Sequence, residues 1–349
     1  MEKDGNKLWR LIEALSGPEG KATQITLEKD GNLLTVKATA DLLIKQYAAV
    51  SNIEVDPEKK IQIRRNTKNL KETPTDQERD LMNKSFTQHE LERALQDLKL
   101  KKSPGENGVT NEMIQHLGKN MKKKVLQLYN TTWTTGNIPI YKQGKDKKKP
   151  ESYQPVSLLN CLGKTMERIV NTRMTWYLEK NNILVEEQTG LRRGRCTEDQ
   201  IALIAQDIED GFQEKKHTVV VWIDMAKAFD RVWRDGLLFK LKDNGITRNM
   251  FKWTEQYLQN RKARVRTQHF KSRTQNMKHR VPQGGILSPT LFSMFMNDIQ
   301  TILPKGVYGA MYADDMGNRG IHWNRTGAST TGTRGPKNVD RKMPDENKP

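Results

Sequence analysis

Apolar residues recur three or four apart along much of the chain, the spacing of helices that bury one face, and in two places the period shortens to that of a strand. Leu8, Leu11, Ile12 and Leu15 predict a first helix, and residues 41–50 a second. Residues 56–78 break the pattern. Their Lys, Arg, Asn and Thr content, with Pro57 and Pro74, predicts a linker or an exposed, partly disordered arm, and a domain boundary near Thr75. Helical spacing resumes over 87–100, with Leu91, Leu95 and Leu98 inward, and then over 109–133 and 158–178. Another helix is expected over 197–212, with Ile201, Leu203, Ile204 and Ile208 on or near one face.

The first change of period is Thr218-Val219-Val220-Val221-Trp222-Ile223, a β-branched run that reads as a strand buried on both faces and stopped by Asp224. A helix is expected from about Lys227, a hairpin within 261–280 and a helix over 291–303. Val307 to Tyr312 is the last expected strand. Beyond Met316 apolar residues almost vanish, so residues 316–349 are expected to be a disordered polar tail.

Charge narrows the partners. The 349 residues carry 60 Lys and Arg against 42 Asp and Glu, a formal net charge of +18, which points to a polyanion, nucleic acid before an anionic membrane surface. No stretch approaches the roughly 20 apolar residues that cross a bilayer, and the first ten residues are polar, so an intracellular chain without membrane partners is expected. Cys161 and Cys196 have neither disulfide-framework nor zinc spacing.

Three constellations can carry chemistry. Asp224 leaves a strand directly into Met225-Ala226-Lys227-Ala228-Phe229-Asp230, where its simplest role is a helix cap. Tyr308 to Asp315 ends in two adjacent carboxylates, Asp314 and Asp315, at an expected hairpin turn. Two magnesium ions about 4 Å apart need carboxylates from separate segments held on rigid strands, and Asp224 with Asp314 can meet that demand. Between them, Pro282-Gln283-Gly284-Gly285 is a glycine turn whose backbone amides can approach a nucleotide or base closely. Gly144 to Lys149 is a basic run that is either a solvated loop or a phosphate-binding finger.

The order of these blocks closely resembles motifs A, B and C of reverse transcriptases, those of non-LTR retrotransposons in particular. Further similar segments are 102–109, 153–160 with 163–168, and Gln188-Thr189-Gly190-Leu191-Arg192-Arg193-Gly194-Arg195-Cys196-Thr197, so that the resemblance runs from about Phe86 to Asp315. It implies an α+β right-hand polymerase with fingers and palm over 75–315, the palm an antiparallel sheet packed on helices, preceded by a helical segment and basic linker over 1–74. It implies RNA-directed DNA polymerase activity with two Mg²⁺ ions held by Asp224, Asp314 and Asp315, Asp315 the less direct ligand. RNA template, DNA primer and deoxynucleoside triphosphates are the implied partners. Phe229 matches the residue that excludes a 2′-hydroxyl, with a core role equally open. Arg192 and Lys164 are implied triphosphate or template contacts, Gln283 and Gly284 the floor under the incoming base pair, and Tyr312 a support for the primer end.

Some features depart from the pattern. Gln154, Asn107 and Gly285 stand where arginine, aspartate and serine are usual, and a basic strand-forming block before Gly144 is missing. After Asp315 the polar run predicts that the hairpin lacks its return strand and that no thumb follows. These departures leave a second reading open, a basic fragment that binds nucleic acid without turnover.

Overall fold

The computed structural model describes residues 27–29, 32–70, 76–102, 108–135, 161–259, 261–265, 270–304 and 307–323. The helix expected over 8–15, the basic run at 144–149, the segment 153–160, Asn107 and the tail from 324 onward lie outside these residues. The chain forms two compact units, residues 1–184 with 226–296, and residues 185–225 with 297–349.

The larger unit is mostly helical. A two-stranded ribbon, β1 (Glu28–Lys29) and β2 (Asn32–Leu33), precedes α1 (Val36–Val50), which starts where the Thr35 hydroxyl accepts from the Ala38 N–H. α2 (Pro57–Asn69) occupies most of the segment expected to be a linker. The reason lies in its start: Asp56 caps it, Pro57 fits the first turn, and Glu58 complements the helix dipole there. No residue of α2 is buried, so its exposure is as expected. It is held by α9 (Arg234–Asp243), through an Arg64–Asp235 ion pair of 3.1 Å and a 2.8 Å bond from Lys242 Nζ to the Thr67 carbonyl.

Asp76 then caps α3 (Gln77–Asn83), and Thr87 and Glu90 close a reciprocal capping box on α4 (Gln88–Gln96). The single helix expected over 109–133 is two, α5 (Asn111–Gln115) and α6 (Lys119–Thr135), interrupted around Gly118. α7 (Cys161–Lys180), α10 (Arg248–Leu258) and α11 (Ser288–Met296) complete the helices described in this unit. α11 ends before the limit expected from sequence. The hairpin expected within 261–280 is present as β4 (Lys262–Ala263) paired with β5 (Gln275–Asn276).

Rings of Phe86, Trp133, Trp253 and Tyr257 form a chain through the core, with successive centroids 4.7, 6.3 and 5.3 Å apart. Arg173 on α7 is fastened beside it. Its Nε lies 2.6 Å from Glu90, its Nη2 donates to the Ser85 carbonyl at 3.0 Å, and its guanidinium stands 4.7 Å over the Phe86 ring.

The smaller unit is a helix, α8 (Thr197–Gln213), packed on a three-stranded antiparallel sheet in the order β3-β7-β6: β3 is His217–Asp224, β6 is Val307–Tyr312 and β7 is Asp315–Trp323. Two expectations are corrected here. The return strand exists: β7 pairs with β6 from Tyr312↔Asp315 to Val307↔Gly320, and with β3 from Asp224↔Asp315 onward. Its polar composition is no obstacle, because as the central strand it is paired along both edges, and backbone groups need no apolar side chains to pair. Residues 316–323 are therefore sheet and not tail.

The second correction concerns β3, expected to be buried on both faces. It is an edge strand, and Val219, Val221, Trp222 and Ile223 are all exposed, Trp222 by 67%. Along α8, Ile204 is buried while Ile201, Leu203 and Ile208 are exposed.

Candidate active site

β3 ends in Asp224 and β7 begins with Asp315, and the antiparallel register sets these two residues directly opposite each other. Directly paired residues on adjacent strands have Cα atoms about 4.5–5.5 Å apart and side chains on one face of the sheet. Asp315 is also the partner of Tyr312 across β6 and β7, so Ala313 and Asp314 form a two-residue turn. The sheet thereby brings Asp224 to the same end as Asp314 and Asp315, some ninety positions further along the chain. Asp224 and Asp315 are exposed and Asp314 is half-buried, so all three can be reached from solvent.

As donors they suit a hard divalent cation, which takes carboxylate oxygens. Among the described residues no three acidic, histidine or cysteine side chains yet close round a common point.

The turn is anchored from the other side of β6. Residues 187–189 run parallel to it: Met311 N–H donates to the Glu187 carbonyl at 2.8 Å, and Thr189 N–H to the Met311 carbonyl at 3.0 Å. Gln188, 1% exposed, turns its amide onto Ala313. Gly190 packs so close that a Cβ there would stand 2.1 Å from the Ala313 nitrogen, which excludes any other residue. Arg192 Nη1 donates to the carbonyls of Val185 at 2.7 Å and Gln188 at 3.2 Å, so it braces this segment. Tyr312 is 39% exposed.

The other expected site residues belong to the larger unit. Phe229 lies in the 3₁₀ turn Ala228–Arg231 and stacks on the buried Phe292 of α11, centroids 4.5 Å apart and planes 18° apart. Lys164 is half-buried on α7.

Gln283 Nε2 donates to Asp230 Oδ2 at 3.0 Å, and the other oxygen of Asp230 lies 2.8 Å from Arg280 Nη2 in a buried ion pair. Gly284 is exposed and has φ +85°, the left-handed backbone that favours glycine. Gly285 is crowded: a Cβ would stand 2.4 Å from the Tyr257 hydroxyl and 2.7 Å from Ser288 Oγ. A serine there would collide with both.

Beneath this glycine loop Glu167 is buried, accepting from Ile286 N–H at 2.8 Å and from the Tyr257 hydroxyl at 3.1 Å. Burial raises its pKa, and these hydrogen bonds and Arg261 oppose the rise. Sequence reasoning assigned no role to Gln188, Glu167, Asp230 or Arg280. Gln188, Glu167 and Asp230 lie within quoted motifs, which is the one signal that could have drawn attention to them, since buried polar partners have no local signature; Arg280 lies outside those motifs.

Residues 145–317 match the family model for reverse transcriptase (RNA-dependent DNA polymerase). The chain carries a reverse transcriptase domain. It is 33% identical over 243 residues to the probable RNA-directed DNA polymerase from transposon BS of Drosophila melanogaster, covering 65% of this chain and 27% of that one. To the RNA-directed DNA polymerase from mobile element jockey of the same species it is 30% identical over 247 residues, 66% of this chain and 27% of the other. To the probable polymerase from transposon X-element it is 33% identical over 199 residues, 55% and 21% of the two chains. The reverse transcriptase domain is thus of the non-LTR transposon kind, and the chain spans about a quarter of the length of these relatives. Its helices and small antiparallel sheet agree with the α+β class expected of a reverse transcriptase domain.

Proposed function

We propose that this chain is the fingers-and-palm part of an RNA-directed DNA polymerase of a mobile element, and that it extends a DNA primer on an RNA template. The observation that carries the reading is the pairing of Asp224 with Asp315, with Asp314 in the adjoining turn. Asp224 and Asp314 are the direct metal ligands and Asp315 the less direct one.

Two Mg²⁺ ions, when bound, would supply Lewis acidity at the primer 3′-hydroxyl and charge neutralisation at the pyrophosphate leaving group. The protein's own part is positioning. The sheet holds the carboxylates on separate strands so that they need not be gathered at each turnover. Tyr312, exposed beside Asp315 in register, supports the primer end. Gln283, tied to Asp230, and Gly284, open to close approach, line the floor under the incoming base pair. Phe229, held by stacking on Phe292, is the candidate for excluding a 2′-hydroxyl. Lys164 and Arg192 are the candidate contacts to triphosphate or template, Arg192 in addition to bracing residues 185–188. On this reading the fingers and palm begin near residue 75 and the palm continues at least through Trp323.

The test is extension of a labelled DNA primer on RNA with and without magnesium, beside Asp224→Asn. Extension should require the ion and fall by about a thousandfold or more in the variant, while duplex binding persists. Binding with no extension by the folded wild type would favour the second reading, a nucleic-acid-binding fragment without turnover, for which the net charge of +18 is the supporting observation.

A further inference from the structure

The residue next to Asp314 has an unusual backbone. Ala313 has φ +60° at the first central position of the two-residue turn between β6 and β7, where glycine is the favoured residue. An alanine held there costs about 1–2 kcal/mol, so the turn needs an outside support to keep one conformation.

Gln188 supplies contacts to both peptide groups of that residue. Its Oε1 accepts from the Ala313 N–H at 3.1 Å and from the Gly190 N–H at 3.0 Å, and its Nε2 donates to the Ala313 carbonyl at 3.2 Å. The carbonyl of Ala313 belongs to the peptide bond that leads into Asp314, so the amide holds the carboxylate's own backbone. The side chain is 1% exposed, and water cannot easily replace these bonds. Its own backbone is bridged to Met311, and Gly190 closes on Ala313 without room for a Cβ. No other polar side chain is needed to explain why the turn stays put.

We propose that Gln188 is a positioning residue for the nucleotidyl-transfer site, which fixes the Ala313–Asp314 turn and thereby the backbone from which the Asp314 side chain projects. The proposal rests on the polymerase reading for its catalytic consequence, and on the backbone contacts alone for its structural one. A carboxylate displaced by about 1 Å loses on the order of a hundredfold in rate, whereas substrate affinity depends on other contacts. Loss of the clamp should therefore lower kcat and leave KM nearly unchanged.

Two measurements test it together. Amide hydrogen exchange of wild-type Ala313, read by NMR without any substrate, should be slow, because its N–H is bonded to a buried amide; exchange at the rate of an open turn overturns the clamp. Magnesium-dependent extension is then compared for wild type, Gln188→Leu and Gln188→Glu. The leucine variant should lose kcat by about tenfold or more, with the triphosphate KM and template-primer Kd within about threefold, and its Ala313 amide should exchange faster. The glutamate variant retains both acceptor bonds and should recover part of kcat. A folded leucine variant with kcat within about twofold of wild type overturns the positioning role. If the leucine variant does not fold, the glutamate variant and the wild-type exchange decide. If the wild type extends no primer, the polymerase reading fails, and the exchange measurement still decides the clamp.

Discussion

Burial, with the cations Arg234 and Lys60 nearby, pushes His279 down from 6.5 to about 4. Its ring is thus neutral at pH 7 in the folded chain, and the backbone N–H donates to the Ser51 carbonyl at 3.0 Å. The folded pKa is below the unfolded one, so this residue's contribution is intact above 6.5 and is lost as the pH falls toward 4. Allowing for solvent screening, the loss is about 1–2 kcal/mol. The melting temperature of wild type should drop more between pH 7 and 4.5 than that of His279→Gln, and parallel curves would refute the assignment. At this scale the sequence was partly legible. Asp224, Asp314 and Asp315 could be picked out because a carboxylate at a strand end is a local pattern, and a pattern on the chain is what reading detects. Gln188 and Glu167 could not, because their roles come from partners more than a hundred positions away.

Among elements, α7 is joined to the turn before α4 through one side chain. Arg173 bridges to both oxygens of Glu90 and to the carbonyls of Lys84 and Ser85, and its guanidinium covers Phe86. Glu90 is held below the usual carboxylate range by Arg173 and by the Thr87 N–H, against its own partial burial. Arg173→Met keeps the stem's packing and removes five donors, which leaves carbonyls and a carboxylate short of partners. It should cost about 2–4 kcal/mol, a loss of roughly 4–16 °C in Tm by calorimetry or circular dichroism. A change under 1 °C would show the bridge to be solvent-compensated. Amphipathic spacing disclosed most of the helices, since a buried face recurs every turn whatever it packs against. It failed at α2, whose apolar face is too thin to register and which is held to α9 by the Arg64–Asp235 ion pair. It failed in the opposite sense at β3, where a β-branched run marks a strand but does not say which edge of a sheet it will occupy.

For the molecule as a whole, a net charge of +18 predicts that binding to an RNA–DNA duplex weakens steeply with salt. With about five phosphates neutralised, log Kd against log salt should have a slope of about 4.5 in magnitude. Fluorescence anisotropy across a salt series measures it, and a flat response would remove nucleic acid as the partner. Asp224→Asn should leave that slope unchanged, since removing one carboxylate adds no phosphate contact.

The sequence by itself determined the α+β class, the family, the helices with a repeating apolar face and the three carboxylates, because each is written in local spacing and in the order of motifs. Only the tertiary structure decided that residues 315–323 form the central strand of the sheet. Their composition reads as a tail, and a strand paired along both edges takes its stability from backbone hydrogen bonds that no side-chain pattern records. That pairing set Asp224 opposite Asp315, and a separate parallel bridge to Met311 brought Gln188 against Ala313. Those are contacts between distant segments, and they exist only once the chain has closed.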